Sequence, residues 1–356
     1  MISLAKVFEV QRRGIKPVRG LIVLAAMVVP LVILEAAGLQ QFWLSLVFGM
    51  LFVALSDPGG TYRRRLRAMG AVALIGTAIT ALGFAIGGGP WVIVVLVSFV
   101  VTLAAGLSVR YGRHGFVAGL MLASWFLVTV SEAASRAATT TTPDWWQQAL
   151  AWALGSGIWV LITVGFWLAR GRKAQDSHFP ELPVDTTSMT LTRPVVLFAV
   201  IQALAVSISV AIAFGLHLPD ADWMPIATLV AMKTSLNQAA LASVQRIVGA
   251  VIGALLAMLV LLTVDARYAL EAIILILGAF AASFRGANYA LYCAAVAGLV
   301  LIATDINQPQ NLSAEGRRVL FTLLGLAIGL AVLLIGGAIQ KRTARVGAPP
   351  AAPKTV

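Results

Sequence analysis

The sequence predicts an all-α polytopic membrane protein, with about twelve transmembrane helices arranged as two parallel six-helix repeats. Three observations predict it. The 356-residue chain is 60% hydrophobic and only 11% charged, with a mean hydropathy of +0.93, whereas a soluble domain carries about 25% charge. One pattern occurs twice. Trp43, a short apolar run and Arg67-Ala68-Met69-Gly70-Ala71 return as Trp223, a short apolar run and Arg246-Ile247-Val248-Gly249-Ala250. Ser108-Val109-Arg110 and Leu154-Gly155 likewise return as Ser283-Phe284-Arg285 and Leu324-Gly325. Finally, the basic residues fall in alternate loops.

The first repeat (1–168) holds apolar runs at 21–37, 42–55, 68–86, 91–107, 116–130 and 149–168. A linker (169–193) carries Pro180, Pro183 and mixed charge, and is too short for a soluble domain. The second repeat (194–342) holds runs at 195–216, 223–232, 247–264, 269–284, 289–303 and 319–339, before a Pro- and Ala-rich tail (343–356) that reads as disordered. A crossing helix needs about 20 apolar residues, so several runs are short. With the N-terminus in the cytoplasm and strict alternation, 22 of the 26 Lys and Arg lie inside and 9 of the 14 acids outside. Positive charge marks cytoplasmic loops, so the count predicts an even number of spans and cytoplasmic termini. Both halves then enter the membrane in the same sense, as parallel repeats do.

The net charge of +12 would suggest nucleic acid on a soluble protein. Here the charge serves topology, and nucleic acid is excluded as a partner. Cys293 is the single cysteine, so no internal disulfide forms. No phosphate-binding glycine loop or metal motif is present, which argues against an enzyme and against a cofactor.

The chemistry-bearing candidates follow from the duplication. Spans 2 and 8 are the shortest, and they run into Ser56-Asp57-Pro58-Gly59-Gly60 and Lys233-Thr234-Ser235-Leu236-Asn237-Gln238. Paired short segments point to a binding site, because backbone groups freed by a broken helix face protein or water rather than lipid. Lys233 and Asn237 are candidates on that ground. Arg67 and Arg246 open spans 3 and 9, while Arg110 and Arg285 close spans 4 and 10. Arginines ringed about an axis attract anions and grip carboxylates bidentately; ordinary anchoring by snorkelling is the competing reading. Arg63, Arg64 and Arg65 read mainly as anchors. Trp43 and Trp223 begin the short spans, either as interface anchors or as stacking walls for an aromatic solute. For proton coupling, Asp57 ranks ahead of Glu35, His114, His217, Asp222 and Asp265, because it sits where span 2 breaks beside basic residues.

The two Trp-led spans with their Arg-x-x-Gly-Ala entries, together with Arg317-Arg318-Val319-Leu320-Phe321-Thr322-Leu323-Leu324-Gly325, resemble the fusaric acid resistance, or aromatic acid exporter, superfamily over residues 20–340. The resemblance implies a bacterial inner-membrane efflux protein, driven by the proton gradient, for aromatic carboxylates or related toxic acids. Its partners would be a small organic anion and the lipid bilayer, with a homo-oligomer or a periplasmic efflux partner left open. Many members carry a large cytoplasmic domain that this chain lacks. Distantly similar plant anion channels keep a passive conduit open, and a non-transporting scaffold subunit is the alternative outside transport.

Overall fold

The computed structural model describes residues 7–58, 61–137, 145–169, 190–218, 223–232, 240–306 and 312–346. Among these residues there are twelve α-helices of ten residues or more and no strand. In chain order they are α1 Pro17–Ala36, α2 Trp43–Leu55, α3 Tyr62–Ile86, α4 Trp91–Leu107, α5 Gly112–Ala137, α6 Trp145–Ala169, α7 Arg193–Gly215, α8 Trp223–Met232, α9 Ala240–Thr263, α10 Arg267–Phe284, α11 Tyr289–Asp305 and α12 Leu312–Val346. Local sequence explains several starts. Pro17 opens α1, where its missing N–H costs nothing. Asn288 caps α11 by accepting the Leu291 N–H at 2.9 Å. Gly112, with φ +84°, turns the chain from the short 3-10 segment Ser108–Tyr111 into α5, a conformation open to glycine alone.

Among the described residues, six segments are long and apolar enough to cross a membrane: Tyr62–Ile86, Trp91–Tyr111, His114–Ala137, Trp145–Ala169, Arg193–Gly215 and Arg267–Phe284. Five others are apolar but shorter, among them Trp223–Met232. At 1.5 Å per residue, a ten-residue helix reaches about 15 Å, half of a hydrocarbon core. The multi-helix membrane character holds, with six qualifying spans where the sequence led us to expect about twelve. Helix surfaces away from the interior carry large apolar side chains, such as Leu74, Leu96, Leu161, Leu204, Ile208 and Leu259, all exposed as lipid-facing residues are.

Helices α1–α6 and α7–α12 make up a first and a second half along the chain. In the first, α2 lies against α6, α3 against α5 and α6, and α4 against α5; in the second, α8 lies against α12, α9 against α11, and α10 against α11. Between the halves, α4 packs on α7 and α1 packs on α10. The largest apolar core draws Trp43, Phe48, Trp125 and Trp152 together with Trp223, Leu261, Ile274 and Ile302.

Polar contacts gather at the helix ends. At one end, Arg267 Nη2 lies 3.4 Å from Glu35 Oε1, and Gln40 Nε2 donates to Glu35 at 3.1 Å. Arg136 and Gln148 both donate to the Gln41 carbonyl. At the other end, Asn288 donates to the carbonyls of Val7 and Glu9, Gln245 donates to Val7, and the Lys16 N–H donates to Ser283. Residues of the loops expected outside thus meet one another, as do those of the loops expected inside.

Candidate functional site

The α2–α3 break buries a charge pair. Helix α2 stops at Leu55, and the Ser56 hydroxyl donates back to the Val53 carbonyl at 2.9 Å. Pro58 then prevents continuation. Asp57 is 1% exposed, and Arg65, one turn into α3, is 5% exposed. Arg65 Nε donates to both Asp57 oxygens, at 2.9 and 3.0 Å, and Nη2 donates to Oδ2 at 2.6 Å. The guanidinium also lies over the Tyr62 ring, 4.8 Å from its centroid. His114, buried at the start of α5, donates from Nε2 to the Ser56 carbonyl at 2.6 Å. That bond fixes the proton on Nε2 and ties α5 to the break.

Aromatic side chains rise from this pair. Phe52 stands one turn before Ser56 and meets the Trp125 and Trp152 rings edge-on, at 6.3 and 5.8 Å. Phe48 stacks on Trp125 at 4.9 Å, and Trp125 lies 4.9 Å from Trp152. Trp125 Nε1 donates to Thr80 Oγ1 at 2.8 Å. A Cβ at Gly76 would strike the Trp152 ring, so glycine at that position makes room for the indole. Helices α2, α3, α5 and α6 thus converge on one aromatic column, with the Asp57–Arg65 pair at the α2–α3 break beside it. Arginine recognises a carboxylate, and stacked rings recognise an aromatic body.

The site residues expected from sequence are distributed unevenly. Asp57 is in the pair. Arg67 lies two residues beyond Arg65 on α3 and is exposed; Arg110 is exposed in the 3-10 segment that follows α4. Arg285 is half-buried, with its guanidinium 5.3 Å from the Tyr292 ring centroid. Arg246 lies in the first turns of α9. Lys233 and Asn237 fall outside the described residues, as does Asp222. Trp43 and Trp223 are both buried, at 5% and 8%, within the shared apolar core. Arg65 and the rings of Phe48, Phe52, Trp125 and Trp152 are not legible as site residues in the sequence, whereas His114 is among its proton-coupling candidates. The one signal for Arg65 is its place eight residues after Asp57, beyond Pro58-Gly59-Gly60. The pair is not duplicated. With Arg246 as the counterpart of Arg67, the position of Arg65 is Val244.

Residues 204–332 match the family model described as fusaric acid resistance protein-like. The resemblance read from the repeats holds over that stretch. The match lies on α7 to α12, the half in which the charge pair has no counterpart. No curated protein and no solved structure matches the chain.

Proposed function

We propose that this protein exports organic anions, aromatic carboxylates in particular, across a bacterial inner membrane in exchange for protons. The observation that carries this reading is the buried Asp57–Arg65 pair beside the aromatic column. A charge at such depth is costly unless it is paired, and a paired charge in a membrane protein commonly marks an ion or proton route. The family match and the apolar helices support a transporter-type membrane protein. The polar groups of spans 2, 3 and 8 that are described, including Ser45, Asp57, Arg65, Thr80 and Thr228, are buried in the protein, which a lipid-embedded scaffold would not require.

In the proposed cycle, the exposed Arg67 and Arg110, with Arg246 and Arg285 at the same end, collect the anion. A carboxylate presents the same two oxygens as Asp57, so at the inner side it competes with Asp57 for Arg65 and displaces it. The aromatic body then lies along the column. The anion leaves outward, Asp57 takes up a proton from the outer side, and the anion-free protein returns and loses that proton inward, which restores the pair. One anion leaves and one proton enters, so an inside-negative potential drives both charges, at about 2.3 kcal/mol per charge per 100 mV.

Purified protein in liposomes, with benzoate as the probe, tests the cycle. Benzoate moving against its gradient when a pH gradient and potential are imposed, and stopping with a protonophore, supports exchange. Benzoate moving only down its gradient makes the protein a passive anion channel, the second reading, which the same arginines would serve.

A further inference from the structure

The crossing of α4 and α7 joins the two halves, and it carries buried hydrogen-bonding groups that the protein leaves without partners. Gln202 on α7 is 0% exposed, and neither its amide nitrogen nor its amide oxygen meets a hydrogen-bond partner in the protein. The Ser98 hydroxyl on α4 (0% exposed) and the Ser207 hydroxyl on α7 (7%) are in the same condition. The helices run antiparallel here. Gly106 lies against Ala199 and Gln202, and Trp91 lies beside Gly215. That register brings Ser98 and Ser207 to one height, roughly two turns outward from Gly106 at 1.5 Å of rise per residue. The Gln202 oxygen would be 3.4 Å from a Cβ at Gly106, so the amide stands where the opposing backbone comes closest.

Hydrocarbon offers such groups nothing, and a buried amide without a partner costs free energy. Other buried hydroxyls are bonded, among them Ser209 with Thr228 at 3.0 Å and Thr80 to the Gly76 carbonyl at 2.7 Å, while the indole N–H groups of Trp43 and Trp152 are, like the seam groups, without a partner. The unpartnered set at one contact between the halves therefore points to something bound there. The corresponding contact of α1 with α10 is lined by apolar residues such as Val23, Met27, Leu270 and Ile274. We propose that the α4–α7 crossing, buried in this structure, opens during transport into a hydrogen-bonding site, centred on Gln202, for water and for the polar end of the transported organic anion. Amide N–H and serine O–H groups donate to a carboxylate without adding charge, so they hold the anion weakly enough to release it. This inference rests on the transport reading and adds a second station, between the halves, to the Arg65 site.

Cysteine accessibility tests it. In a background with Cys293 replaced by Ala, single variants Ser98→Cys, Gln202→Cys and Ser207→Cys are treated with 2-aminoethyl methanethiosulfonate in liposomes. Leu204→Cys and Ile208→Cys, at lipid-exposed positions of α7, are the controls. Methanethiosulfonates need a thiolate, hence water. We expect the three seam positions to react at least tenfold faster than the controls, and benzoate to slow them severalfold. Rates equal to the controls, or fast rates that benzoate leaves unchanged, overturn the proposal. Ser98→Cys is nearly isosteric and remains decisive if Gln202→Cys fails to fold. These readouts do not depend on uphill transport. Fast, benzoate-protected labelling without uphill flux keeps the site and removes the exchange cycle; uphill flux without labelling does the reverse.

Discussion

Asp57 and Arg65 hold each other in a setting where neither charge tolerates being alone. Removing one member of a buried pair costs about 3–5 kcal/mol, whereas replacing both with apolar residues of similar volume is often neutral. Arg65→Met should therefore lower thermal stability in detergent by about 3 kcal/mol, and Asp57→Leu combined with Arg65→Met should recover most of it. The double variant should still fail to export benzoate, which separates the pair's structural role from its transport role. Asp57→Asn should abolish uphill export while leaving downhill flux; uphill export that survives it removes Asp57 as an essential coupler. Arg67→Ala and Arg246→Ala should reduce export several-fold, and Arg63→Ala less, with insertion measured alongside. Equal, small effects at all three would leave those arginines as anchors.

Between helices, close approach is set by glycine. A Cβ at Gly155 on α6 would strike the Leu46 backbone of α2, and one at Gly325 on α12 would strike the Met224 backbone of α8. Each is the glycine of a Leu-Gly pair, and a short helix is the partner in both. Gly157, two residues along α6, faces open space. Gly155→Val and Gly325→Val should each destabilise by about 1–3 kcal/mol, as overpacking does, whereas Gly157→Ala should leave the melting temperature within a degree or two. Periodicity and apolar run length made the helices and the shortness of α2 and α8 legible in sequence, because lipid imposes both. The Leu154-Gly155 and Leu324-Gly325 pairs were visible too, but not which helix each glycine meets. The site was legible at Asp57 and, lower in rank, at His114. Arg65 looked like its neighbours Arg63 and Arg64, since a run of arginines does not reveal which one turns inward. Trp125 and Trp152 come from helices more than 70 residues beyond Phe48, and only the fold brings them together. The unpartnered amide of Gln202 was invisible for the same reason.

At the scale of the molecule, the distribution of basic residues predicts the sidedness. Reporter fusions after Arg172 and after Arg342 should both report the cytoplasm; a periplasmic signal at either would break the parallel arrangement. The exchange of partners between the halves, α1 on α10 and α7 on α4, has a consequence for biosynthesis. Helix α1 is made some 230 residues before the helix it packs against. At about 5–20 residues per second of translation, its inner face waits in lipid for tens of seconds, and the contact face of α4 also waits until α7 inserts. Neither half can finish its own packing. A nascent chain halted after the first six helices is thus an unfinished membrane protein with two open flanks, a natural client for membrane chaperones and quality-control proteases. Co-expressing the halves as separate chains, split in the linker, should rescue both from degradation, because each supplies the flank the other lacks.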